Sequence, residues 1–149
     1  MLFQENNLFP HLTVRQNITF PLENRTGKDK LTRQQMADMA LEAAKQSRRA
    51  MIPQVLPLTE LKKIDVQAFD LFLVAYEDEN TVSLKQALRA ANSPGSIALL
   101  IGPEGGLEEG EVRQLVQAGA VSVSLGKRIL RTETAGMAML AQTLYEVEE

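Results

Sequence analysis

Apolar positions change their spacing along the chain, and the spacing predicts where helices and strands lie. Apolar residues recur at helical intervals between residues 32 and 49, and Thr32 precedes them as a candidate N-cap. Residues 50–57 contain Pro53 and Pro57 and are expected to be extended or irregular. Residues 71–75 form an unbroken apolar run, which is typical of a parallel strand buried on both faces.

The rest of the chain repeats strand and helix signals at short intervals. We predict helices at 83–91, 107–118 and 132–145, strands at 96–101 and 121–125, Ser83 as an N-cap and Gly119 as a helix terminator. Alternation of strands and helices at this pace indicates an α/β fold with a parallel sheet and flanking helices.

The composition argues against several classes of protein and several kinds of site. The chain has 149 residues, no cysteine and one histidine, so a disulfide framework, a cysteine metal site and a Ser-His-Asp triad are not expected. His11 is interpreted as an incidental surface residue. No apolar run is long enough for a membrane span, and the start lacks the pattern of a signal peptide. We therefore expect a cytoplasmic protein that uses neither a membrane nor a metal.

Charge gives an ambiguous signal about nucleic acid. The net charge of -3 argues against strong autonomous binding of nucleic acid, because such domains usually carry a basic surplus. Lys45, Arg48 and Arg49 nevertheless cluster near the end of the predicted helix at 32–49. They could face water and stabilise the helix C-terminus, or they could contact RNA.

Residues 1–25 differ from the remainder of the chain. Residues 3–14 resemble the Q-loop region of ABC-transporter ATPases, yet no Walker A loop and no L-S-G-G-Q signature follow. Without those parts an ATPase cannot hold phosphates and magnesium, so we reject ATP hydrolysis. An ABC-ATPase fragment stays as a third alternative, which the missing phosphate motifs disfavour. We predict an atypical head segment at 1–25, of fused or chimeric origin, and a main domain at 26–149.

Two glycine-containing segments are the strongest functional signal. Residues 101–106 (I-G-P-E-G-G) and 125–135 (L-G-K-R-I-L-R-T-E-T-A) each follow a predicted strand and open a predicted helix. Glycine lets a backbone approach a ligand closely, and helix starts offer unpaired amide donors. The two segments could form the walls of one small-molecule pocket, although neither fits a known nucleotide motif. The alternative is that these glycines only serve tight turns.

Together the two segments resemble the cofactor loops of SPOUT methyltransferases, and most of all those of the RsmE family. That family methylates ring nitrogen N3 of a uracil in 16S ribosomal RNA. Residues 43–55 and 71–77 resemble its preceding segments in the correct order, so the resemblance covers about residues 31–149. It implies a SPOUT-type domain with a deep trefoil knot, which apolar periodicity alone does not reveal.

The resemblance also implies S-adenosylmethionine (SAM) as the cofactor. Leu125, Ile129 and Leu130 would offer apolar surface to the adenine ring. The full set of residues expected to bind the cofactor is Ile101, Gly102, Pro103, Gly105, Gly106, Leu125, Gly126, Ile129, Leu130, Thr132 and Thr134. Thr132 and Thr134 could instead cap the last helix.

A uracil nitrogen is a poor nucleophile until its imino proton leaves, so the site needs a base or a stabilising cation. Arg131 could stabilise the developing charge or orient the RNA, and Glu133, or less readily Glu104, could accept the proton. Glu133 could alternatively complete the helix cap. Arg48 and Arg49 would contact RNA.

Family members typically form homodimers through the last helix. Met137, Met139 and Leu140 are accordingly interpreted as core or dimer surface rather than ligand contacts. The partners implied are 16S ribosomal RNA, or the small ribosomal subunit, and a second copy of the chain.

The chain departs from the family at its N-terminal side. We expect no PUA-like RNA-binding domain in these 149 residues, and we expect residues 1–25 to stand in place of the early part of the methyltransferase domain. Because phosphate contacts supply much of RNA affinity, we expect SAM binding to survive better than catalysis on ribosomal RNA. The alternative function is therefore a truncated or chimeric SAM-binding knotted module without activity on RNA.

Overall fold

The computed structural model describes residues 32–48 and 50–147. The predictions for the head at 1–25, for His11 and for Arg49 lie outside the described residues. The described chain divides into two units, one ending at Leu58 and one beginning at Thr59. We describe each unit by itself.

The first unit contains helix α1 (Arg33–Gln46). Its N-cap is Thr32, as predicted, because the Thr32 hydroxyl accepts from the Gln35 N–H at 3.2 Å and the Gln35 side chain accepts from the Thr32 N–H at 2.7 Å. The helix is shorter than predicted, since the chain leaves helical geometry after Gln46 and Arg48 has a φ of 55°. Residues 50–57 are irregular, as expected.

The second unit is built on three parallel strands, β1 (Leu71–Ala75), β2 (Ile97–Ile101) and β3 (Val121–Val123). They form one sheet in the order β2-β1-β3, which confirms the predicted α/β class with a parallel sheet. The predicted strand at 121–125 was two residues too long. After Val123 the chain turns away to form an isolated bridge between Ser124 and Ser83, a partner that is distant in sequence.

Three helices complete this unit: α2 (Leu84–Ala90), α3 (Glu109–Gln117) and α4 (Thr132–Val147). Ser83 caps α2 as predicted, whereas α3 begins two residues later than predicted because Glu108 acts as its N-cap in a capping box with Glu111. Helix α4 starts at Thr132 as predicted and runs two residues further, to Val147.

The sheet carries helices on both faces. Alternate strand residues point to opposite faces. Phe72, Val74, Ala98 and Leu100 share one core cluster with Leu115 of α3. Helix α4 packs against α2 and β2, and Leu73, Leu84 and Met139 are fully buried. Two short 3₁₀ turns, Leu61–Lys63 and Val66–Ala68, precede β1 and were not predicted, because three residues are too few to show a period.

An ion-pair group joins the two packed helices on their outer side. Arg89 Nε lies 2.9 Å from one Glu146 oxygen, and Lys85 Nζ lies 3.2 Å from the other. The hydrogen bond from Arg89, opposed by burial and aided by Lys85, keeps the pKa of Glu146 below its usual value. Within the described ranges, no helix is both long enough and apolar enough to cross a membrane.

Candidate functional site

The two glycine-containing segments leave the same end of the sheet. Ala75, the last residue of the central strand, pairs with Ile101 on one side and with Val123 on the other. We call residues 102–108 the first loop and residues 124–131 the second loop. Their starting points are two strand spacings apart, or about 10 Å. The space between them, above Ala75, is called the crevice.

This is also the place where open α/β sheets bind ligands. The connection from β1 leads to β2 on one side, and the connection from β2 crosses to β3 on the other side. Such a reversal of strand order leaves a gap at the carboxyl ends of the strands, where ligands bind in doubly wound folds. The sheet topology therefore brings the two predicted walls to one switch point.

The first loop is shaped by its glycines. A turn closes through a hydrogen bond from the Gly106 N–H to the Pro103 carbonyl at 2.9 Å, and Gly106 has a φ of 76°. A Cβ on Gly102 would lie 3.1 Å from the Leu107 backbone nitrogen. A Cβ on Gly105 would meet nothing within 4 Å. The fold thus requires glycine at 102 and 106 but gives no steric reason for glycine at 105.

Glu77 is a crevice residue that the sequence pattern did not reveal. It follows β1, and its Oε1 lies so close to the first loop that a Cβ on Gly106 would come within 2.8 Å of it. Glu77 lies beside the first loop because β1 and β2 are neighbours in the sheet, and the sequence does not show which strands are neighbours. The available signal was a carboxylate two residues after the end of a buried strand.

Glu79 is a second residue that was not predicted, and it shapes the turn between β1 and α2. Its carboxylate accepts from the Thr81 N–H at 2.8 Å, the Thr81 hydroxyl at 2.5 Å and the Val82 N–H at 3.1 Å. These hydrogen bonds, those of Thr81 foremost, lower the pKa of Glu79 from 4.5 to about 2. The turn that they hold presents the Val82 carbonyl to the Ser124 N–H at 2.8 Å, and thereby fixes the start of the second loop.

The second loop is anchored at its two ends. Near its start the Gly126 N–H donates to the Ser124 hydroxyl at 3.3 Å, and Gly126 has a φ of 127°. At its end the Arg131 carbonyl accepts from the Thr134 and Ala135 N–H groups and so begins α4. Leu125 and Leu130 are half-buried, whereas the Ile129 side chain is 83% exposed.

The predicted catalytic pair lies where the second loop enters α4. Arg131 and Glu133 are both exposed, and Glu133 is in the first turn of the helix. Thr132 is buried as the first helical residue, and Thr134 is exposed. Glu104 is exposed in the first loop, on the other side of the crevice. The roles of these residues stay predictions.

The remaining predicted residues fall elsewhere. Ile101 ends β2 and, like Gly102 and Pro103, is half-buried at the sheet end. Arg48 is exposed directly after α1, in the first unit. Met139 and Leu140 are buried core residues, whereas Met137 is 39% exposed on α4.

Comparison with known proteins agrees with this arrangement. The sequence profile of the RNA methyltransferase domain family matches residues 15–144, and the chain belongs to that family. Ribosomal RNA small subunit methyltransferase E of Bacillus subtilis is 38% identical over 127 residues, which are 81% of this chain and 50% of that protein. Its counterpart in Mycobacterium bovis is 42% identical over 66% of this chain and 38% of its own length. The chain thus spans about half the length, or less, of the curated relatives that it matches.

Solved structures give the same result for the fold. Ribosomal RNA small subunit methyltransferase E of Neisseria gonorrhoeae, bound to S-adenosyl methionine, is 30% identical with a TM-score of 0.62, covering 80% of this chain and 52% of that one. A Legionella pneumophila protein in complex with the bound cofactor SAM has a TM-score of 0.67 at 26% identity, covering 80% and 51%. The SPOUT-type α/β fold is confirmed, and the trefoil knot itself stays a prediction.

Proposed function

We propose that residues 26–149 are a SAM-dependent methyltransferase domain of the RsmE type, which methylates N3 of a uridine in 16S ribosomal RNA in the cytoplasm. One observation carries the proposal: Ala75 pairs with the ends of both neighbouring strands, so two glycine-containing loops leave the same end of the sheet, one on each side of the central strand. The RNA methyltransferase family of the chain and its SAM-bound structural neighbours support the same assignment.

The residues of the two loops fit this cofactor. The half-buried Leu125 and Leu130 offer apolar surface at the second wall, and Ile129 stays available to a bound molecule. Gly105 leaves open space beside the backbone of the first wall, where a ligand can approach. Backbone groups around Ile101, Gly102 and Gly126 would bond the adenine, Pro103 and Gly106 would shape the first wall, and Thr132 and Thr134 would bond the cofactor at the start of α4.

The cofactor supplies an electrophilic methyl group on its sulfonium when it is bound. The chain must then remove the imino proton of uracil and stabilise the negative charge that spreads over the carbonyl oxygens. Glu133 accepts that proton in the proposed mechanism, and the Arg131 guanidinium binds the charged oxygens. Both side chains are exposed where the second loop enters α4, so a base on an RNA strand can reach them.

Substitution of Arg131 by alanine tests the mechanism when transfer and binding are measured separately. We expect methyl transfer to small-subunit RNA to fall by about a hundredfold, as when one charge-stabilising donor is removed, while the Kd for SAM changes little. Labelled methyl incorporation and calorimetry provide the two measurements. Arg113→Ala is the control, because Arg113 is an exposed arginine of α3 that pairs with Glu109. Undiminished transfer by Arg131→Ala would exclude Arg131 from the mechanism.

A second candidate function is a SAM-binding module without activity on RNA. It is favoured by the net charge of -3, because domains that bind nucleic acid usually carry a basic surplus. The same assay separates the two functions: SAM binding in the calorimeter without methyl incorporation into small-subunit RNA would support the module and contradict the enzyme.

We also propose a homodimer through α4. Met137 and Tyr145 expose 39% and 65% of their surfaces on this helix, and Ala141 lies exposed between them. Side chains at these intervals share one face of a helix and can pack against a second copy. Analytical ultracentrifugation of the Met137→Glu, Tyr145→Glu variant tests the proposal. We expect a monomer, and an unchanged sedimentation coefficient would contradict this interface.

A further inference from the structure

The basic residues of the described chain differ in whether they have an acidic partner. Most of them lie within ion-pair distance of a carboxylate, namely Lys45, Lys62, Lys63, Lys85, Arg89 and Arg113. Arg33 donates to the Val55 carbonyl at 3.0 Å. Among the described residues, Arg48, Lys127, Arg128 and Arg131 have no carboxylate within that distance.

Three of these four unpaired cations belong to the second loop, where they lie within a stretch of five residues. Lys127, Arg128 and Arg131 are all exposed, so their charges are neither neutralised internally nor withdrawn from solvent. The loop is anchored at Ser124 and again at the Arg131 carbonyl, which keeps the cations at the carboxyl end of the sheet. A concentration of unpaired positive charge beside a crevice attracts anions to that side.

The other side of the crevice carries the opposite charge. Exposed carboxylates follow β1 at Glu77 and Asp78, and others stand in the first loop or at the start of α3, at Glu104, Glu108 and Glu109. A polyanion is therefore repelled from the first loop and attracted to the second. The whole chain has a net charge of -3, so the positive charge of the second loop is local.

We propose that Lys127 and Arg128 bind backbone phosphates of the RNA segment that carries the target base, while Arg131 keeps its role at the uracil ring. Arg128 can grip a phosphate through two parallel hydrogen bonds, and Lys127 acts as a point charge. The RNA strand then lies along the second loop, and its base enters the crevice from that side. This inference deepens the proposed function and rests on it, because it assigns the substrate's phosphates to residues beside the same site.

The slope of RNA affinity against salt measures phosphate binding directly. The probe is a uridine-containing single-stranded RNA oligonucleotide, titrated against the full chain in the presence of SAM. Removing one cation that neutralises a phosphate of a single strand reduces the slope of log K against log salt by about 0.7, so Lys127→Gln, Arg128→Gln should reduce it by about 1.4. The matched control is Lys62→Gln, Lys63→Gln, which removes the same charge from two exposed lysines paired with Glu60. We expect the control to keep the parent's slope.

The outcomes separate this inference from the function on which it rests. An equal slope in the parent and the Lys127→Gln, Arg128→Gln variant, or an equal reduction in the control, would overturn the phosphate assignment. So would a decrease in affinity for an acidic peptide as large as the decrease in affinity for RNA. Calorimetry with SAM should give the same Kd for the parent and both variants. A parent that binds RNA with the expected slope but does not bind SAM would contradict the proposed function instead.

Discussion

The two loops that face each other across the crevice are held in different ways. The first loop has its shape fixed by backbone geometry: a closed turn at Pro103–Gly106 and a crowded Cβ position at Gly102. The second loop is fixed at its ends, by Ser124 and by the Arg131 carbonyl, and presents exposed side chains between them. The backbone conformation therefore determines the shape of the first loop, whereas exposed side chains determine the chemical character of the second loop.

This difference predicts different consequences of substitution. A change in the first loop should act on the stability of the fold at Gly102 or Gly106, where the backbone is crowded or left-handed, and on close approach of a ligand at Gly105, where there is open space. A change of charge in the second loop should leave the fold intact and alter what binds. Charge substitutions in the second loop that destabilise the fold, with glycine substitutions in the first loop that do not, would contradict this distinction.

The largest expected effect on stability is that of Gly106→Ala. The φ of 76° at Gly106 costs an L-residue about 1–2 kcal/mol, while the nearby Glu77 carboxylate can rotate away from the new methyl group. We expect the free energy of unfolding to fall by that amount in urea denaturation. Gly105→Ala is the control, and a fall of equal size there would contradict a conformational cause.

Gly105→Val tests whether a glycine that the fold does not require is needed by the ligand. A Cβ added at 105 meets nothing within 4 Å outside its chain neighbours, so stability should change by less than about 0.5 kcal/mol. If the cofactor approaches this backbone, the Kd for SAM should rise about tenfold, or about 1.4 kcal/mol. An unchanged Kd would show that Gly105 has no part in the first wall.

Glu79→Gln tests how far the second loop depends on its anchor. The pKa of Glu79 is lowered from 4.5 to about 2, so its contribution to stability is present above about pH 4.5 and is lost as the pH falls towards 2. We expect the unfolding free energy of the variant to depend less on pH in this window than that of the parent. Glu104→Gln, at an exposed glutamate of the first loop, is the control. Identical pH profiles for the parent and Glu79→Gln would contradict the anchoring role.

The smallest expected effect is that of Lys127→Gln, Arg128→Gln on stability. Neither side chain has a carboxylate partner among the described residues, so the thermal midpoint should stay within about 1–2 °C of the parent's, as for surface changes generally. Differential scanning calorimetry checks this. A large fall in the midpoint would show that the second loop also contributes to the fold.

Sequence alone predicted the features that depend on near neighbours. The caps at Thr32 and Ser83 use a partner three residues away, and the apolar run of β1 is visible without any partner. Features that depend on distant pairing were missed. Strand β3 ends early because Ser124 meets Ser83, a pairing that no local pattern reveals.

The same distinction between local and distant features holds for the candidate site. Its two glycine loops were found because each follows a predicted strand and opens a helix, and the resemblance to a known family named their cofactor. Glu77 and Glu79 were missed because their importance comes from lying beside loops that are remote in sequence. The different charges on the two sides of the crevice became visible only after the order of the strands was known.

The open space beside Gly105 has a practical consequence. Because the chain contains no cysteine, Gly105→Cys would introduce a unique thiol at a position where an added Cβ meets nothing within 4 Å outside its chain neighbours. A thiol-reactive fluorophore attached there would project from the rim of the first loop. If SAM approaches this backbone, the attached group should weaken SAM binding more than Gly105→Cys without the label does, so the labelled chain would measure how much of this open space the cofactor occupies.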